Sequence, residues 1–343
     1  MTLSIIIPCY NNGNYLVEML DCCVRQTFKD WEVIVVDDGS TDDTPLKIEK
    51  YAETDSRIRF YRRERQPKGS VVCRNIGFEK STGKYIIHFD ADDLISDNCF
   101  EKRVAFMESH PDCDYASFPA MGFSDKTKLP QYNDKGMKWG VGEDGEDLLK
   151  RFFNVDYPFS VWNNIYKREA IEDFPWDERI KIYTDISYII PIILAGKKHL
   201  YSQQKELDYY YRQGGGNNNN MCSSFVSKEK CESTLYFFNK TLDELKKKPD
   251  GHIRIEQFKG MIVTHYERLV AGENKEDMVT FINLCKEYYD DKFVSKLEGI
   301  RRKSEKVSFA EDKVRLYYTF WRTFGHPRHR TLLLMNIKKK LLH

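Results

Sequence analysis

The sequence predicts an α/β protein with a mostly parallel central sheet flanked by helices, followed by a helical C-terminal region. Three observations carry this. Short continuous apolar runs recur near residues 4–8, 31–36 and 85–89, the pattern of strands buried on both faces. Segments with apolar residues at helical spacing lie between those runs, and strands separated by helices of this length form right-handed βαβ crossovers in a parallel sheet. From about residue 224 helical periodicity dominates to the end of the chain.

The elements follow in order. SIIIP (4–8) reads as a central strand that Pro8 ends, and NYLVEMLDCCVRQ (14–26) as an amphipathic helix. WEVIVVDDGS (31–40) is a second buried strand running into Asp37 and Asp38; Asp42 or Asp43 then caps a helix through TPLKIEKYAE. RIRFYRRE (57–64) predicts a third strand, VVCRNIGFEKS (71–81) a helix and YIIHFD (85–90) the fourth strand. DYASFPAMGF (114–123) reads as a further strand and GEDGEDLLKRFF (142–153) as a capped helix. Segments 157–171 and 176–196 mix both patterns, and LDYYYRQ (207–213) is strand-like. GGGNNNN (214–220) has little to bury and many backbone states, which predicts a mobile loop. The resulting division is 1–212 as the main domain, 213–223 as a loop and 224–343 as a helical region.

A chain of 343 residues with 54 basic and 53 acidic side chains is not coated with positive charge, which argues against a nucleic-acid partner. Nine cysteines without a C-x-x-C arrangement read as reduced, buried thiols of a cytosolic protein. The N-terminus lacks the basic leader and cleavage site of a signal peptide. YIIPIILA (188–195) is far too short to span a membrane. After Asp312 only basic charges accumulate, interleaved with aromatic and aliphatic residues through Lys340; two readings stand open, an interfacial helix on an anionic membrane and an ordinary helix with a solvated basic face.

The chemistry concentrates in HFDADD (88–93). Asp90, Asp92 and Asp93 crowd the end of a buried strand, and two carboxylates about 5 Å apart repel by roughly 3 kcal/mol at an effective dielectric near 20. An Asp-x-Asp on such a turn offers hard oxygen ligands to Mg²⁺ or Mn²⁺. A solvated acidic turn, or an aspartate pair of the haloacid dehalogenase kind, would leave the same short pattern. In open sheets ligands bind beyond the carboxyl ends of the strands, where Tyr10 to Asn12, Asp37 to Ser40 and Asp90 to Asp93 all fall.

SIIIPCYNN, VIVVDDGSTDDT, GSVVCRNIGFEKSTGKYI and HFDADD, in this order and at these separations, strongly resemble the family 2 glycosyltransferases, enzymes with a GT-A fold. The resemblance is close over about residues 2–125 and fainter to about 212. It implies an inverting, metal-dependent transfer of a sugar from a nucleotide-sugar, UDP-linked for preference, to a hydroxyl of a glycan or lipid-linked saccharide. Capsule, O-antigen or exopolysaccharide assembly at the cytoplasmic face of a bacterial membrane is the implied setting. Residue by residue, Pro8 and Tyr10 lie at the nucleobase, Asp38 and then Asp37 hold the nucleoside, and Gly69 and Arg74 serve the diphosphate. Asp90 contacts the ribose or the metal shell, Asp92 is the main metal ligand, and Asp93 orients its neighbours. Family members carry a Glu-Asp pair about ninety residues further on; here IKIYTDISYII supplies Asp185 as the base, with Thr184 where Glu is usual. Asp177 and Glu178 are fallback bases. Trp162 and Asn163 resemble a segment lining the acceptor side, and Arg212 a residue that reaches the diphosphate from a closing lid. Asn75 and Gly77 read as structural and His88 as packed. Two other classes remain open: a nucleotide-sugar-binding pseudoenzyme and a metal-dependent phosphohydrolase.

Overall fold

The computed structural model describes residues 1–213, 227–272 and 274–306, with residues 320 and 323. The predicted glycine and asparagine loop, apart from Gln213, and the basic tail, apart from Phe320 and Thr323, lie outside the described residues. In chain order the elements are β1 (Leu3–Cys9), α1 (Gly13–Arg25), β2 (Trp31–Asp37), α2 (Thr44–Thr54), β3 (Ile58–Arg62), α3 (Ser70–Lys80), β4 (Tyr85–His88), β5 (Leu94–Ile95) and α4 (Cys99–Ser109). Then come β6 (Tyr115–Ser117), β7 (Ala120–Phe123), β8 (Lys138–Trp139), α5 (Leu148–Phe153), a 3₁₀ turn (Val161–Asn163), β9 (Asn164–Lys167), α6 (Arg168–Ile171), α7 (Thr184–Leu194), β10 (His199–Tyr201) and β11 (Tyr209–Arg212). Four helices follow: α8 (Lys228–Lys246), α9 (Gly251–Ala271), α10 (Lys275–Tyr288) and α11 (Asp291–Glu305).

The chain forms two compact units, one of residues 1–152 and 156–223, the other of residues 153–155 and 224–343. The first contains a seven-stranded sheet in the order β10-β6-β9-β4-β1-β2-β3. β1 pairs in parallel with β2 (Leu3 opposite Trp31 through Cys9 opposite Asp37) and with β4, and only β9 runs antiparallel to its neighbours. β1 and β2 are buried along their whole lengths, as continuous apolar strands covered on both faces must be. α3 lies directly on β1: a Cβ on Gly77 would fall 2.3 Å from Ile6 Cγ2, so the glycine permits the close approach. A second sheet, β5-β11-β7-β8, stands at the carboxyl end of β4.

Three expectations change. Pro8 does not end β1, which runs on through Cys9. Ile6 O accepts from Phe89 N, so Pro8, two residues on, faces the same side beyond the end of β4, where its missing N–H breaks no ladder. Residues 114–123 form two strands in different sheets, divided at Pro119, rather than one. The helix expected over 142–153 begins only at Leu148; Gly145 has φ +81, and Asp147 then caps the shorter helix by accepting from Lys150 N at 3.0 Å.

The second unit is helical. Phe238 packs edge-on against Phe258 and Phe281, joining α8, α9 and α10 around a core that includes Met261, Leu269 and Leu297. No helix of the described residues is long and apolar enough to cross a membrane.

Candidate active site

Three loops meet at the carboxyl rim of β1, β2 and β4. Asn11 in the first donates its N–H to Ser40 Oγ (2.9 Å) and accepts from Thr41 N (2.8 Å), which ties it to the second. The Asp37 carboxylate accepts from the N–H groups of Gly39 and Ser40 at 3.1–3.2 Å and from the Ser40 hydroxyl, so it builds the turn. Asp38, buried, accepts from Arg63 Nε (2.5 Å) and Gly69 N (3.1 Å) through Oδ1. It thereby joins β2, the end of β3 and the start of α3. Gly69, at φ +144, occupies a backbone region that disfavours side chains. Tyr10 is 38% exposed, with Lys68 Nζ 3.4 Å from its ring centroid.

Arg74 is buried on α3 because Trp176 lies 5.1 Å under its guanidinium. It donates to Asp90 Oδ1 at 2.5 Å and to the Phe89 carbonyl at 3.4 Å. Asn75 donates to the Trp176 carbonyl and accepts from its N–H, both at 2.9 Å, the structural role its sequence context suggested. His88 is packed among Tyr166, Trp176 and Tyr188, and burial pushes its pKa well down, with the Arg74 charge adding to this.

The acidic turn divides into outer and inner carboxylates. Asp93 is wholly buried; it accepts from the Tyr209 hydroxyl (2.5 Å) and Arg212 N (2.7 Å), which makes it the anchor of the turn. Burial, with the charges of Asp92 and Asp90, holds its pKa well up. Burial and then the Asp90 charge push Asp92 up to about 6, against the opposing charge of Arg212. Among the described residues no group of three or more His, Cys, Asp or Glu side chains is arranged to hold a metal. The donor set of Asp90 and Asp92 fits a divalent cation shared with a diphosphate, since two hard carboxylate oxygens leave the remaining positions for phosphate and water.

Asp185 stands in the first turn of α7, where the helix dipole favours its ionised form. Burial and then the charge of Asp90 raise its pKa, while Arg74, Ser160 and Thr184 pull it down. The charges of Asp90, beyond β4, and of Arg74, on α3, thus reach Asp185 on α7. Ile186, Ile189, Ile190 and Ile192 are buried on the same helix. The fallback bases are engaged elsewhere, Asp177 with Arg179 at 2.9 Å and Glu178 with Arg65 and Asn75.

Two positions read differently from the sequence. Asn163 is fully buried; its amide oxygen accepts from Ser160 N and its amide nitrogen donates to the Phe118 carbonyl, each at 2.8 Å, so it is a bracket within the fold and presents no surface to an acceptor. Arg212 is engaged within the fold: it pairs with Glu18 at 2.6 Å, donates to the Asp92 carbonyl at 2.5 Å and lies over the rings of Tyr15 and Phe123. It secures the acidic turn to α1. Trp162 is nearly buried, its ring parallel to Tyr209 at 4.6 Å and to Tyr211 at 5.7 Å. Ser160 and Tyr209 were not singled out from sequence, because only folding brings them to Asp185 and Asp93.

Residues 4–174 match the model of glycosyl transferase family 2. An uncharacterized glycosyltransferase of Rickettsia bellii is 39% identical over 108 residues, 32% of this chain and 15% of that protein. The minor teichoic acid biosynthesis protein GgaB of Bacillus subtilis is 26% identical over 253 residues, 73% of this chain and 27% of that protein. The chain spans 15% to 48% of the length of the first six curated relatives it matches. Among solved structures, S. aureus TarS 1–349 in complex with UDP-GlcNAc superposes with a TM-score of 0.68 at 19% identity, over 94% of this chain and 91% of that one, a likeness of fold.

Proposed function

Residues 4–174 place the chain in glycosyl transferase family 2, and on that premise we propose that it transfers a sugar from a nucleotide-sugar to a hydroxyl of a growing cell-surface glycan. The observation that carries this reading is the Arg74–Asp90 ion pair beyond the carboxyl end of β4, with its charges within electrostatic reach of Asp185 at the start of α7. Asp185 takes the proton from the attacking acceptor hydroxyl. The oxygen so freed bonds to the anomeric carbon, while the bond from that carbon to the phosphate oxygen breaks with its electron pair leaving on the nucleoside diphosphate. Attack from the face opposite the leaving group inverts the configuration.

The chain's own residues set up this step. Arg74 holds Asp90 in place through their ion pair, and Tyr209 with the Arg212 N–H fixes Asp93 beneath the turn. A bound Mg²⁺ or Mn²⁺, held by Asp92 and Asp90, would supply Lewis-acid stabilisation of the departing diphosphate. Tyr10 offers an exposed ring to a nucleobase, and Asp38 lies at the same rim beside it. UDP is the first nucleotide to try, because TarS 1–349 is solved with UDP-GlcNAc; a glycan acceptor follows from relatives such as GgaB, named for teichoic acid biosynthesis.

The test is transfer itself, with a panel of nucleotide-sugars and glycan acceptors and the variant Asp185→Asn. Losing a general base costs about 10²–10⁴-fold, so the variant should lose transfer by that factor while binding donor as before. Undiminished transfer by the variant would remove Asp185 from the role. Phosphate release from simple esters with no acceptor present would instead support a phosphohydrolase.

A further inference from the structure

The base assigned to Asp185 lacks the glutamate neighbour that the sequence comparison led one to expect: Thr184 stands there, and its hydroxyl is 3.5 Å from Asp185 Oδ1, the outer limit of a hydrogen bond. A better partner comes from elsewhere in the chain. The Ser160 hydroxyl donates directly to Asp185 Oδ2 across 25 residues of sequence. We propose that Ser160 is a positioning residue for Asp185, holding its carboxylate in the orientation needed to accept the acceptor's proton. The inference rests on the reading of Asp185 as the base.

Ser160 is itself held from several sides. Its N–H donates to Asn163 Oδ1, and the Asn163 amide reaches the Phe118 carbonyl. Phe118 N donates back to the Asn163 carbonyl at 2.9 Å. Gly140 N donates to the Pro158 carbonyl at 2.7 Å. A Cβ on Gly140 would lie 2.0 Å from the Phe118 carbonyl oxygen and 2.4 Å from Asn163 Nδ2, and its φ of +71 disfavours side chains as well. The bracket therefore closes only with glycine at that position. The backbone that carries the hydroxyl is thus held in place, and the fully buried Asn163 acquires a function: it fixes the residue that fixes the base.

The other groups around the Asp185 carboxylate are Asp90 beyond β4, Arg74 on α3 and Tyr166 on β9. Asp90 disfavours the ionised form and Arg74 favours it. A hydroxyl donated to a carboxylate also favours the ionised form, so removing it moves the titration of Asp185 to higher pH. The acid limb of transfer moves with it, because a base works only when deprotonated.

The experiment follows the Asp185 carboxyl by ¹³C NMR across pH in the full chain labelled at aspartate, with the resonance assigned by its absence in Asp185→Asn. In Ser160→Ala, and in Ser160→Cys should alanine disturb folding, the midpoint should rise by about one pH unit. Ser160→Thr, which keeps the hydroxyl, should titrate as the unsubstituted protein does. An unmoved midpoint in the alanine and cysteine variants overturns the role of Ser160, and does so whether or not Asp185 is the base. Wild-type transfer by Asp185→Asn overturns the base reading instead, so the two failures are separable.

Discussion

Replacing Arg103 by methionine removes the cation of an ion pair from which solvent is wholly excluded. Arg103 and Asp208 are both 0% exposed, and the guanidinium grips the carboxylate at both oxygens, at 2.8 and 2.9 Å. It also donates to the Trp162 and Asn164 carbonyls at 3.2 Å each and lies over the Phe89 and Phe118 rings. Breaking such a pair leaves an uncompensated buried charge, at a cost of about 3–5 kcal/mol, against a total stability of about 5–15 kcal/mol for a typical protein. Removing both charges is milder, because a well-packed apolar pair of similar volume is often neutral or better. Urea unfolding of Arg103→Met should therefore show a loss of about 3–5 kcal/mol, and Arg103→Met with Asp208→Leu should recover at least half of it. The pair joins α4 to the 3₁₀ turn, β9 and the segment entering β11, so the single variant should lose nucleotide binding only in step with folding. A loss below about 1 kcal/mol in Arg103→Met, or a double variant no more stable than the single, would refute the reasoning.

Two further outcomes are expected. Arg212→Ala removes the Glu18 pair and the bond to the Asp92 carbonyl and should lower unfolding free energy by about 1–3 kcal/mol; an unchanged melting curve would show that the turn needs no such tie. His265 is buried among Phe238 and Phe281, and burial, followed by the charge of Arg268, lowers its pKa from 6.5 to about 3. The unfolded chain thus binds a proton that the folded one refuses. Stability from this group is complete above pH 6.5 and falls as pH drops toward 3, by about 1.4 kcal/mol per pH unit. Denaturant melts at pH 7 and pH 5 should differ by about 2 kcal/mol more in the wild type than in His265→Leu; equal slopes would contradict the burial argument.

What could be read from the sequence divides along physical lines. β1, β2 and β4 were legible because a strand buried on both faces is written as an uninterrupted apolar run. The break at Pro119 was hidden because the apolar pattern continues through it, while the chain passes from one sheet to another. Residue type told that Asn163 and Arg212 can bind something polar, and it could not tell that their partners are Ser160, Phe118, Glu18 and the backbone of Asp92. Ser160 and Tyr209 carry no local signature at all, since each acts on a carboxylate 25 or more residues away.

The most direct measurement is thermal stabilisation of the full chain by UDP, GDP, CDP and dTDP, each with Mn²⁺ and with chelator, in the wild type and in Asp92→Asn. A ligand that binds only the folded state at one hundred times its Kd stabilises by about 2.7 kcal/mol. At least one nucleotide should raise the melting temperature in the presence of Mn²⁺, and the rise should vanish with chelator and in the variant. Stabilisation by none of the four, or an equal rise in Asp92→Asn, would contradict the assignment of the acidic turn to a cation and its diphosphate.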